Sequence, residues 1–152
     1  LFSKERKPSQ GFLTEKPDQQ GLVEGKASEI RFSESLNKLV LQGNVTLYDH
    51  DEEASFASEK ADLFFNQKDE LEMIIAYGNV KLTQPKRSSI SDRVDFDYIK
   101  EIVTLTGNAT LKEVDQLEIS SSIIRMHMDE DKGMVESGQS TPVRMKTKID
   151  VQ

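Results

Sequence analysis

From Leu22 onward the chain runs in short apolar and β-branched stretches broken by Gly, Asn, Asp and Lys, a pattern that predicts many short antiparallel strands. In residues 93–98, Val94, Phe96 and Tyr98 interleave with Arg93, Asp95 and Asp97. Successive strand side chains point to opposite faces, so this segment has one dry face and one wet face. Residues 53–60 are the one stretch that also reads as a short helix. Residues 1–20 carry two Pro, many charges and no sustained period, and read as a flexible polar leader or linker ahead of a structured domain over 21–148.

An internal repeat organises that domain. Leu-Val-Leu-Gln-Gly-Asn-Val-Thr-Leu at 39–47 aligns with Ile-Ile-Ala-Tyr-Gly-Asn-Val-Lys-Leu at 74–82 and Val-Thr-Leu-Thr-Gly-Asn-Ala-Thr-Leu at 103–111. A degraded fourth copy starts at Met134, reaches Gly138, and continues to Val143 and Met145 past Pro142. The period is roughly thirty residues, within the range of repeat architectures. Ahead of each glycine lies a second segment, acidic or hydroxylated and then apolar, at 27–32, 57–65, 91–96 and 121–126, so each repeat is two strands. Alternation places Leu39, Leu41, Val45 and Leu47 on one face, with Ile74, Ala76, Val80, Leu82 and then Val103, Leu105, Ala109, Leu111 as equivalent inward sets. A glycine inside a strand marks a bulge or bend, and one bend per repeat curves the sheet.

Composition narrows the function. With 20 Lys+Arg against 27 Asp+Glu the net charge is −7, which lacks the basic footprint of a nucleic-acid surface. No Cys and two His leave no disulfide framework, Cys-based zinc site or thiol nucleophile. The longest apolar run, residues 73–77, falls far short of a membrane-spanning helix. The chain begins at Leu1, in keeping with removal of a signal peptide or anchor.

Candidate chemistry is sparse. Residues 49–53 (Asp-His-Asp-Glu-Glu) lack the Gly and spaced acids of a calcium loop and read as a charged hairpin tip; residues 129–133 read as a turn. No Gly-x-Ser-x-Gly elbow accompanies His50 or His127, and His127 is expected to face solvent opposite Met126 and Met128. Lys81, Lys86, Arg87 and Arg93 form the densest basic group, read as a solvated face, with contact to lipid phosphates as the sharper alternative. Nothing nominates a catalytic residue, a metal site or a cofactor.

Two-strand repeats with an apolar-x-apolar-x-Gly-Asn-[Val/Ala]-x-Leu centre, each preceded by a Ser-x-[Asp/Glu]-like strand, resemble the OstA-like family of lipopolysaccharide-transport proteins, its periplasmic bridge members first and its membrane-anchored members second. The resemblance covers residues 22–146 and implies an all-β fold, an open β-jellyroll of two facing antiparallel sheets built from about four two-strand repeats. It also implies a periplasmic location, tethered to the inner membrane if an anchor precedes Leu1. The ligand implied is lipopolysaccharide, with acyl chains held by Ile30, Phe32, Leu39, Leu41, Val45, Leu47, Ile74, Val80, Leu82, Val94, Phe96, Tyr98, Val103, Leu105, Leu111, Ile124, Met126, Val143 and Met145. Implied partners are other lipopolysaccharide-transport proteins, reached through terminal strands, and end-to-end copies of the chain itself. The alternative is a ligand-free β-repeat module whose core is filled by its own side chains and which binds only protein. Whether Phe64 or Phe65 faces inward stays open.

Overall fold

The computed structural model describes residues 10–17, 21–114, 117–137 and 144–147. Its strands are β1 (Gln10–Glu15), β2 (Leu22–Ala27), β3 (Glu29–Ser33), β4 (Lys38–Asp49), β5 (Ala54–Phe65), β6 (Leu71–Thr83), β7 (Arg87–Asp97), β8 (Ile102–Glu113), β9 (Leu117–His127), β10 (Met134–Ser137) and β11 (Arg144–Thr147). They form one antiparallel sheet in the order β1-β2-β4-β5-β6-β7-β8-β9-β10, with β3 also on β4 and β11 also on β9. The six long strands β4 to β9 are a meander. At its ends the short pairs β2/β3 and β10/β11 each cover the two halves of one long strand.

Every pair of long strands breaks register near its middle, and the Gly-Asn pair carried by β4, β6 and β8 is the reason. The register shifts between Gln42 and Val45, Tyr77 and Val80, and Thr106 and Ala109, where two residues face one on the next strand. Asn44, Asn79 and Asn108 all take φ near +47°, a left-handed conformation that Asn tolerates better than other side chains. At Gly107, with φ +85°, a Cβ would also meet the Asp92 carboxylate at 2.5 Å, so any other residue is strained and has to displace Asp92. The acidic upstream strand now has a role. Glu59 accepts a hydrogen bond from Asn79 Nδ2 (3.1 Å) and Asp92 accepts one from Asn108 Nδ2 (3.4 Å). Beside them the buried hydroxyls of Ser58 and Ser91 donate to the carbonyls of Lys60 and Arg93, satisfying backbone groups that the bulges release from the ladder.

Kinking folds the meander over itself, so that the two halves of each strand face one another. Phe56, in the half of β5 nearest the β4–β5 turn, stacks edge-on at 4.8 Å against Phe96 from the opposite half of β7. Between the halves lies one apolar cluster running from Val23 to Met128. This is the open jellyroll that the family resemblance implies, with its two facing layers made from the halves of one continuous sheet rather than from two sheets.

Two expectations are corrected. Residues 53–60 are not helical, because Ala54, Phe56 and Ser58 alternate inward on β5 and are paired with β4 and β6. The leader does not extend to residue 20, because residues 10–15 form β1, paired along its whole length with β2, and Lys16 behind it is 1% exposed. Residues 1–9 and 148 lie outside the described residues.

Candidate functional site

The folded sheet encloses an apolar trough. Leu41, Val45, Leu47, Ile74, Val80, Leu82, Val94, Phe96, Val103, Leu105, Leu111, Ile124 and Met126 all point into it and are at most 2% exposed; Tyr98 is there too. Ile30 and Leu39 are partly buried against this cluster. Phe32 shares their face, since it pairs with Leu39, but among the described residues no second strand is laddered to β3 and the ring is 55% exposed. Met145 lies on β11 opposite Ile119, and Val143 falls outside the described residues. Phe65 packs against the core, whereas Phe64 faces outward beneath the Lys38 ammonium, 5.4 Å from the ring centre. The break in register between these two residues explains why alternation alone left them open.

The rim of the trough is polar, and the burial of its residues escaped the sequence reading. Asp49, at the end of β4 and 1% exposed, accepts hydrogen bonds from Lys16 Nζ (3.2 and 3.3 Å), the Tyr98 hydroxyl (2.9 Å) and the backbone N–H groups of Asp51 and Glu52. Lys16 also reaches Asp51 at 3.4 Å and lies 5.3 Å from the centre of the Tyr98 ring. Burial raises the Tyr98 pKa well above the usual phenol value, and the neighbouring Asp49 carboxylate adds to the shift. So residues 49–53 do form a hairpin tip, but their first acid is a buried anchor rather than a solvated charge.

A second cluster sits along the same rim. The Arg87 guanidinium donates to Gln84 Oε1 (2.8 Å) and, through Nη2, to the carbonyls of Met128 (3.3 Å) and His127; Gln84 Nε2 also donates to Met128 (3.4 Å). These bonds tie the β6–β7 turn of one half to the end of β9 in the other. Burial lowers the pKa of Arg87, with Glu130 the first of the acids that oppose the shift. The basic group is therefore not one solvated face: Arg87 is buried, while Lys86 pairs with Asp131 and Arg93 with Asp95 near the surface. Burial likewise raises the Glu52 pKa from 4.5, and Lys16 is the main charge acting against it.

On the outer surface, Phe64, Met73, Ile75 and Ile99 line a groove of about 340 Å³ and Thr46, Tyr48, Ser55 and Lys81 one of about 450 Å³. Among the described residues no three His, Asp or Glu side chains are grouped so as to hold a metal ion. Among the described residues the arrangement offers no nucleophile–base pair. What it offers is a shaped apolar volume with ion-paired lips.

A sheet bent once per repeat into a jellyroll trough defines a class of repeat-built β proteins. The family model for the LptA/(LptD N-terminal domain) lipopolysaccharide transport protein matches residues 52–132, more than half of the chain, and the chain belongs to that family. A similar solved structure is that of LptH, the LptA-homologous periplasmic component of the lipopolysaccharide transport device of Pseudomonas aeruginosa. It superposes with a TM-score of 0.74 at 11% identity over 87% of this chain and 99% of that one, a likeness of fold. No curated protein matches the sequence. The family is one of transport proteins, not enzymes.

Proposed function

We propose that the chain is a periplasmic carrier that shelters lipopolysaccharide acyl chains in its trough and bridges inner- and outer-membrane transport components. The observation that supports this reading is the continuity of the interior: six consecutive long strands, each bent at an equivalent place, contribute apolar side chains to one undivided cluster. Family membership supplies the class of cargo. Each methylene taken from water into such an interior gains about 0.8 kcal/mol, so binding needs no covalent step. The terminal strands are where strand addition would join partner transport proteins or a second copy end to end.

One observation favours the ligand-free module instead. Away from the rim and the ends of the sheet the inward apolar residues are at most 2% exposed, so the trough in this state is filled by its own side chains. Carriage then requires the two halves to part about their kinks. A photo-activatable residue at Leu105, with outward Thr104 as control, separates the readings in cells. A lipopolysaccharide adduct at 105 and none at 104 is the result expected of the carrier. No adduct at either, in correctly localised folded protein, would establish the protein-binding module.

A further inference from the structure

The trough contains a hydroxyl that its own fold leaves unused. One inward row crosses the sheet through directly paired residues: Leu47 opposite Phe56, Phe56 opposite Leu82, Leu82 opposite Ser89, Ser89 opposite Leu111, and Leu111 opposite Ile119. Five of the six are large and apolar; the sixth is a serine, 4% exposed. The other inward serines with assigned bonds, Ser58, Ser91 and Ser121, sit at kinks and bond the backbone there. Ser89 does not. Its Oγ is buried and has no hydrogen-bond partner, among the described residues the only side-chain polar atom in that position.

An unpaired hydroxyl in an apolar wall lowers stability relative to an apolar residue of similar size, so the fold alone gives no reason for it. Its position does. Ser89 lies two residues along the same strand face from Arg87, one row inside the rim that Gln84, Arg87 and Asp49 make polar. A lipid whose chains fill the trough and whose headgroup stays at the rim carries its first chain oxygens, ester carbonyls or chain hydroxyls, at that depth. We infer that Ser89 Oγ is a hydrogen-bonding subsite for an oxygen borne by the acyl chain near the headgroup, an inference that rests on the acyl-holding reading above.

The test uses two matched probe pairs, each displacing the fluorescent probe N-phenyl-1-naphthylamine from the whole chain. 3-Hydroxytetradecanoic acid is compared with tetradecanoic acid, and 1-tetradecanoylglycerol with its ether analogue 1-O-tetradecylglycerol. Wild-type protein is expected to prefer the hydroxyl-bearing or carbonyl-bearing member of at least one pair by about fivefold, the scale of one net hydrogen bond. The pair that shows the preference identifies the oxygen as hydroxyl or carbonyl. Ser89→Ala should abolish the preference, leave affinity for the plain member unchanged and unfold at the same or a higher temperature. A preference that survives Ser89→Ala, or wild-type protein that binds both members of each pair equally, overturns the subsite while leaving the carrier intact. A Ser89→Ala protein that unfolds several degrees earlier also overturns it, by revealing a structural bond. Failure of all four lipids to displace the probe removes the acyl-holding reading itself, and the subsite with it.

Discussion

Removing the Lys16 ammonium should cost far more than its place ahead of the repeats suggests. Lys16→Met keeps a linear apolar stem and deletes the charge, leaving Asp49 buried with one partner fewer. Breaking a buried ion pair from one side costs about 3–5 kcal/mol. Asp49 keeps three other donors, the Tyr98 hydroxyl and the N–H groups of Asp51 and Glu52, which places the loss at the low end, about 3 kcal/mol. At roughly 2–4 °C per kcal/mol for a chain of this length, the midpoint should fall by about 6–12 °C. Urea unfolding followed by circular dichroism at pH 7 gives the free energy, and the slope checks that folding stays two-state. Lys16→Met/Asp49→Asn removes both charges and should recover much of the loss, because the penalty belongs to the unpaired carboxylate rather than to the missing bond. A loss under about 1 kcal/mol in the single variant would refute the buried pair, and with it the docking of β1 as part of the domain.

Further predictions follow from the kinks, the rim and the interior. Gly107→Ala meets both a positive φ and the Asp92 carboxylate, whereas Gly133→Ala has a positive φ but open space around it; the first should lose about 2–3 kcal/mol by urea unfolding and the second about 1. Glu52→Gln should raise the unfolding midpoint at pH 7. A carboxyl whose pKa is raised in the folded state withdraws stability as pH climbs from 4.5 through the folded value, so the advantage of the variant should vanish below pH 4.5 in a pH series of thermal melts. Leu105→Ala should lose about 2–5 kcal/mol and Thr104→Ala about 0.5 or less, because the first side chain is wholly buried and the second lies on the opposite face.

The features legible in the sequence were those that repeat. Three Gly-Asn pairs in register announced the kinks, and alternation in β7 and β8 fixed which faces turn inward. Residues 53–60 misled because Ala, Glu and Lys favour helix locally, and because the inward sequence of β5 steps from Ser58 to Ala61 across a bulge, breaking the period of two. β1 went unseen for a different reason. It is an edge strand with mostly exposed side chains, held by backbone pairing to β2 and by a lysine whose partner lies 33 positions away. Arg87 and Gln84 are polar residues whose burial depends on the sheet folding over, which local pattern does not record. Ser89 could have been found, since aligning the upstream strands on Ser58, Ser91 and Ser121 sets it level with Phe56 and Ile119, but one hydroxyl in an apolar column reads as surface until the column is known to be interior.

Placing the bend within the repeat separates two dimensions of the molecule. Its cross-section depends on where along each strand the Gly-Asn pair falls, with Leu39 to Leu41 on one side and Val45 to Leu47 on the other. Its length depends on how many copies follow one another, each adding two strand spacings, roughly 10 Å. Duplication or deletion of one unit would therefore lengthen or shorten the trough without altering its width. Such a scaffold can be fitted to a gap of any width by copy number alone.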